Sequence, residues 1–188
     1  MKTEMIENSW LFYKIAIPAG RPSRVLPEGY TCEMWWPGIF RLNAKGLPAF
    51  PFVVWWVLHM LRVFANRGYG LFIIRRGEEV VHRSVITPGY FRFPFMSPED
   101  IQIGDTWTDP QERGKGLATV AIEKILAAQR DRECNCWYIV EPGNLASIRV
   151  VERTRFTLAG YGTRTRRLGL GILGCFILAE GADLEHRH

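Results

Sequence analysis

The chain has 188 residues, 47% of them hydrophobic and 23% charged, with a net charge of +5. That composition excludes disorder, and the length suits a single domain over residues 1–188 that buries roughly 70% of its unfolded surface without staples. The positive balance suits an anionic ligand, but no Lys/Arg run is long enough to serve nucleic acid. The densest group, Arg164, Arg166 and Arg167, reads as a solvated strand edge.

Residues 1–50 resist assignment. Pro18, Pro22, Pro27, Pro37 and Pro48 break them into loops and short pieces, with Trp10–Ile17 a strand candidate. Glu4 and Glu7 stand where a secretory signal would be basic and apolar, so a cytoplasmic protein is expected. Leu47–Leu61 is very apolar, but Pro48 and Pro51 break its start and Arg62 ends it. It falls short of the about 20 residues that span a bilayer. It reads as a core helix or a homodimer contact rather than a membrane element, with the helix over Phe52–Asn66 and Gly68 as its cap.

Tyr69–Arg76 and Val80–Thr87 read as a hairpin turned at Gly77-Glu78. Pro88–Asp100 is a loop carrying Tyr90, Phe91, Phe93 and Phe95, which either packs on the core or walls a substrate cleft. Ile101–Thr108 is a strand. Leu117–Arg130 is an amphipathic helix with Leu117, Val120, Ala121, Ile125 and Ala128 on its apolar side. Cys136–Val140 is a strand, and Asn144–Thr154 a helix capped by Asn144. Strands near Phe156–Arg166 and Gly174–Glu180 follow. Strands alternate with helices only in the middle, so a mixed α/β (α+β) sheet is expected. Cys32, Cys134, Cys136 and Cys175 form no zinc-site spacing. They read as reduced thiols, most of them buried, and no metal is expected.

The segment Gln111-Glu112-Arg113-Gly114-Lys115-Gly116-Leu117-Ala118 joins a strand to a helix N-terminus. Glycines there let a phosphate approach the backbone, and the helix dipole and free N–H groups favour its charge. The string is not G-x-x-x-x-G-K-[S/T], and Thr119 breaks the dinucleotide fingerprint G-x-G-x-x-G. Gln111, Gly114 and Gly116 match Q/R-x-x-G-x-G/A. This resembles the pyrophosphate loop of the GNAT acyltransferase superfamily. The run from Asn144 and Ser147 to Phe156 resembles that family's second recurring segment, and the resemblance covers about residues 69–165.

The resemblance implies a central, mostly antiparallel sheet splayed in its middle and flanked by helices, with acetyl-coenzyme A (acetyl-CoA) in the cleft as acyl donor. It implies that Thr106, Trp107 and Thr108 pair with the pantetheine amides, that Glu112 to Gly116 take the pyrophosphate at the start of the Leu117-Ala118 helix, and that Asn144 and Ser147 approach the pantetheine arm. Arg113 and Lys115 add positive charge there or are solvated loop residues. The implied reaction is direct acetyl transfer to a primary amine of a small molecule. The alternatives are a catalytically impaired acyl-CoA-binding module, suggested by Val151, and an acyltransferase acting on a membrane-associated substrate, suggested by the apolar Phe50–Leu61 run. The net charge makes an anionic acceptor, such as a nucleotide-linked amino sugar, the expected partner.

The amine must lose a proton, and an alkylammonium has a pKa of about 10.4. Asp105 is the candidate base on the entering strand, where alternation puts it on a buried face with Ile103 and Trp107; a structural ion pair is its other reading. The family's usual Glu falls at Gly104. His82, in the neighbouring strand, is a second candidate base or a substrate contact, with a core or surface histidine as its other reading. The family's thiolate acid, a Tyr seven residues after the Asn, is Val151 here, and the Gly before the closing Phe is Arg155. Tyr138, Tyr161 or solvent are the remaining proton donors.

Overall fold

A computed structural model describes residues 9–17, 23–165 and 174–179. Glu4, Glu7, Pro18, Pro22, Arg166, Arg167 and Glu180 lie outside the described residues, as do the expectations placed on them. The strands are β1 (Ser9–Ala16), β2 (Tyr30–Trp35), β3 (Gly70–Arg76), β4 (Glu79–Pro88), β5 (Ile101–Thr108), β6 (Asn135–Val140), β7 (Thr157–Arg164) and β8 (Phe176–Leu178). The helices are α1 (Ala49–Met60), α2 (Leu117–Ala128) and α3 (Leu145–Arg153).

The eight strands of the described residues join one sheet in the order β2-β3-β4-β5-β6-β1-β7-β8. Every neighbouring pair is antiparallel except β5–β6, which is parallel and joined through α2. β5 and β6 pair only at Ile101↔Cys136, Gln102↔Trp137 and Ile103↔Tyr138. Beyond that rung, Gly104–Thr108 leans on β4 and Ile139–Val140 leans on β1, so the sheet opens at the carboxyl ends of its two parallel strands. This is the mixed, splayed sheet expected.

Each face of the sheet carries its own core. α2 and α3 cover Tyr13, Ile15, Phe72, Ile74, Ile101 and Ile103 with Leu117, Ile122, Ile125 and Val151. The buried face of α2 is set by Ile122 and Leu126 as well as by the expected positions, while Ala128 is exposed at the last turn. On the opposite face α1 and the 88–100 loop meet Phe12, Leu71, Ile73 and Val85. The aromatic loop packs on the core: Tyr90 and Phe93 are buried, and Phe95 meets Phe12 at 5.1 Å and Trp137 at 4.9 Å between ring centroids. Buried Asp100 closes the paired end of β5 and β6. It accepts hydrogen bonds from Asn135 N (2.8 Å), Trp137 Nε1 (2.8 Å) and Ser97 N (3.2 Å).

Three expectations need correction. α1 ends at Met60, not near Asn66, and Gly68 is not its cap. Arg62 turns left-handed (φ 56°), and the Arg62 and Val63 amides donate to His59 O and Leu58 O. Phe64, which continues the apolar periodicity, leaves the helix to stack near Trp55 and Tyr69. Nor is α1 a core helix all round. Phe52 is buried, but Val54, Val57 and Leu61 are exposed at helical spacing, and Phe50, at a non-helical kink, is exposed too. All four cysteines are free, yet only Cys136 is buried; Cys32 is exposed, and Cys134 and Cys175 are half-buried. Cys32 lies on β2, a strand that turn-rich residues 1–50 did not reveal.

Candidate functional site

The site grows from an irregularity in β5. Against β4, Trp107 pairs with Arg83 but Gly104 pairs with Val85, so β5 carries one residue too many. Asp105 takes up the excess in a left-handed conformation (φ 42°). The bulge reverses the alternation. Ile101 and Ile103 face α2, and after the bulge so do Thr106 and Thr108, while Trp107 turns to the α1 face beneath the Arg83 guanidinium at 5.5 Å. Asp105 therefore does not share a buried face with Ile103 and Trp107. Its side chain is 49% exposed, and its Oδ2 lies 3.5 Å from Arg83 Nη2.

His82 lies beneath the bulge, fully buried. Nδ1 is 2.7 Å from Thr108 Oγ1 and Nε2 is 3.1 Å from Ser84 Oγ, which in turn is 3.1 Å from Thr106 Oγ1. Burial first, and the neighbouring Arg83 charge second, lower its pKa to about 4, so the imidazole is neutral at pH 7. Both ring nitrogens are engaged, and the histidine braces the two threonines that border the opening.

Gly104 sits at the point where the strands part. A Cβ there would lie 2.5 Å from Gln102 Nε2, because the Gln102 amide folds back over the glycine. That amide is itself held: Oε1 accepts from Thr87 Oγ1 (2.7 Å) and Nε2 donates to Ile103 O (2.9 Å).

Next comes the glycine-rich loop. Asp109 N donates to Val81 O, and Asp109 Oδ1 accepts from Gln111 N at 2.8 Å, starting a single 3-10 turn over Pro110–Glu112. Glu112 turns inward. Its carboxylate accepts from Arg76 (3.0 Å), Lys115 (2.7 Å) and the Tyr30 hydroxyl, tying the loop to β2 and β3. The Lys115 ammonium, then Tyr30 and Arg76, hold Glu112 down to a pKa of about 2. The same bond to Glu112 raises the pKa of Lys115. Lys115 is thus an ion-pair partner as well as a surface cation, and exposed Arg113 reaches back to Thr108 O at 3.3 Å.

Gly114 (φ 81°) and Gly116 (φ 78°) are left-handed, and nothing lies within 4 Å of a Cβ added to either. Glu112 N is already bonded to Asp109 O. Among the described residues the amides of Arg113, Gly114, Lys115 and Gly116 donate to no protein acceptor. Gly116 precedes buried Leu117 and half-buried Ala118 in the first turn of α2, whose leading N–H groups have no intrahelical acceptor. Four or more amides without a protein acceptor therefore lie in one short loop at a helix N-terminus, a place suited to an anion.

α3 starts at the carboxyl end of β6, as α2 does after β5. Asn144 Oδ1 caps it by accepting from Ser147 N at 3.1 Å; Asn144 is exposed and Ser147 half-buried. Val151 is wholly buried in the core cluster that includes Tyr13, Tyr138 and Phe156. Tyr138 is buried, edge-on to Phe156, while Tyr161 is exposed on β7 at the rung of Leu11 and Val140. Arg155 adopts φ 66°, and the Arg155 and Phe156 amides close α3 on Glu152 O and Val151 O. Its backbone keeps the shape a glycine would adopt there. Among the described residues no cluster of His, Cys, Asp and Glu is arranged to hold a metal ion.

The sequence missed Tyr30, Arg76, Ser84 and Gln102. Their roles depend on strand pairing and on a bulge, which neither spacing nor residue type encodes. The inward turn of Glu112 had one legible sign: a carboxylate beside a proposed anion site needs cations of its own.

The Acetyltransferase (GNAT) family matches residues 36–156. No curated protein matches. Among solved structures, a GCN5-related N-acetyltransferase from Sphaerobacter thermophilus aligns with TM-score 0.57 at 17% identity, over 82% of this chain and 49% of its own. A GNAT-family protein from Novosphingobium aromaticivorans aligns with TM-score 0.53 at 17% identity, over 82% and 61%. A GNAT acetyltransferase from Colwellia psychrerythraea gives 0.53 at 16%, over 82% and 54%. At these identities the likeness is one of fold, and the chain spans about half to three-fifths of those proteins.

Proposed function

Since the chain belongs to the GNAT acetyltransferase family, we propose that it moves an acetyl group from acetyl-CoA to a primary amine of a small molecule by direct transfer. The observation that carries this reading is the loop of open glycines and unbonded amides from Arg113 to Gly116, set at the splayed end of β5 and β6. Those amides and the first turn of α2 take the pyrophosphate. The free edge of Thr106–Thr108 pairs with the pantetheine amides as an added strand would. Asn144 and Ser147 border the arm from α3.

Exposed Asp105, held near Arg83 at the bulge, accepts the ammonium proton through water. The freed amine nitrogen attacks the thioester carbonyl, whose developing negative charge an amide near Trp107 or Thr108 stabilises. The carbon–sulfur bond breaks, the nitrogen releases its second proton to water, and the thiolate takes a proton from solvent, because Val151 carries none and Tyr138 is buried. His82 positions Thr106 and Thr108 without touching substrate. The net charge of +5 favours an acceptor that is itself anionic, such as a nucleotide-linked amino sugar.

Calorimetric titration with acetyl-CoA tests the donor site: saturable binding, weakened at least tenfold in Gly116→Val, is expected. No binding by folded protein at millimolar ligand overturns the reading. A thiol-release screen over amines then tests turnover. Buried Val151 supports a second reading, an acyl-CoA-binding module without catalysis, which predicts binding with no thiol release from any amine.

A further inference from the structure

We propose that the outer face of α1 and the turn before it form a docking surface for an anionic lipid bilayer, in addition to and independently of the acyl-transfer reading. The face has two parts. Gly38 and Arg41 bridge each other across a tight turn, leaving Ile39 and Phe40 at its tip, 73% and 94% exposed. The turn is fastened to the helix by Trp56 Nε1, which donates to Gly38 O at 2.8 Å. Along α1 and just past it, Val54, Val57 and Leu61 recur at helical spacing and are exposed, and Phe50, whose backbone is extended (φ −90°, ψ 133°), is exposed at the start of the helix. Trp36 and Leu42 flank the turn and are exposed too. Large aliphatic and aromatic side chains gathered in this way mark an interaction surface rather than scattered apolar exposure.

Charge selects the occupant. Between Glu33 and Glu78 the chain has no carboxylate, whereas it has Arg41, Lys45, Arg62, Arg67, Arg75 and Arg76. Lys45 is paired with Glu78, Arg75 with Glu33, and Arg76 with Glu112. Arg41, Arg62 and Arg67 are exposed and make no ion pair among the described residues. Arg41 closes the turn, Arg62 follows exposed Leu61 just past α1, and Arg67 lies five residues further along the chain. An apolar face with an unpaired cationic border matches the acyl boundary and headgroup charge of an anionic leaflet. A second copy of the chain fits less well, because a two-fold contact would set the same guanidinium groups against each other with no carboxylate to answer them. The helix lies on such a surface; among the described residues none is long and apolar enough to cross a membrane.

The test is co-sedimentation of the full chain with phosphatidylcholine vesicles and with vesicles containing phosphatidylserine, alongside light scattering of the free protein. Binding at least tenfold stronger to the anionic vesicles, weakened by salt and by Arg62→Glu with Arg67→Glu, is expected. Phe40→Asp, at a tip where folding does not depend on it, should weaken binding at least tenfold, and Leu158→Asp on β7 should leave it unchanged. Failure of the folded protein to bind either vesicle overturns the proposal, as does binding that Phe40→Asp leaves intact. A dimer that Phe40→Asp dissociates, with no vesicle binding, overturns it in favour of a second copy. Acetyl-CoA binding enters none of these readouts.

Discussion

Arg155 occupies a backbone position that disfavours it. A non-glycine residue in the left-handed region costs about 1–2 kcal/mol, part of which glycine returns through its larger unfolded-state entropy. Arg155→Gly should therefore stabilise the fold by about 0.5–1 kcal/mol, read by denaturant titration. The departure from the family pattern was legible in the sequence, but the surviving φ of 66° was not, because a left-handed backbone is set by the closure of α3 on Val151 O. His82 gives a second test. Its pKa falls from 6.5 in the unfolded chain to about 4 in the folded one, so above pH 6.5 both states are neutral and its contribution is complete. As pH falls from 6.5 towards 4, the unfolded chain takes the proton first, and stability should drop by on the order of 3 kcal/mol. His82→Gln should flatten that part of the stability–pH curve.

At the scale of elements, β5 shows what alternation reads and what it misses. Its limits, Ile101–Thr108, follow from composition and spacing. Its bulge does not, because the extra residue exists only relative to β4, and one residue of slip moves every later side chain to the other face. That slip carried Asp105 outward and turned Thr106 and Thr108 towards His82. α1 shows the converse limit. Its residues are apolar on every side, so periodicity could not say which face meets the core. The parting of the strands at Gly104 is itself a packed arrangement. Gly104→Ala should cost about 1–3 kcal/mol, because the amide it would strike is held by Thr87 and Ile103. In a Gln102→Ala background the same change should cost less, and a double-mutant cycle measures the difference.

The anion loop was legible because its chemistry is local: two glycines, a strand before and a helix after. The wider frame holding it was not, since Tyr30 and Arg76 reach Glu112 from β2 and β3. That frame predicts a second acid-sensitive window for the whole molecule. With Glu112 at about 2 when folded against an ordinary 4.5, its contribution is complete above pH 4.5 and is lost as pH falls through 2. Acid unfolding should thus show one loss from 6.5 to 4 and another below 4.5, and Glu112→Gln should remove only the lower one.

The seat of β1 has a consequence for how the molecule is made. Its neighbours in the sheet are β6 and β7, so Leu11 meets Val140 and Tyr161 only after more than a hundred intervening residues have left the ribosome. The meander of β2 to β5 has sequence-local partners and can assemble while translation continues. Until β6 and β7 are synthesised, Phe12, Tyr13 and Ile15 lack both of their strand neighbours. Nascent chains that stop before Asn135 should therefore hold β1 open to a chaperone or a protease, with the β3–β4 hairpin already protected.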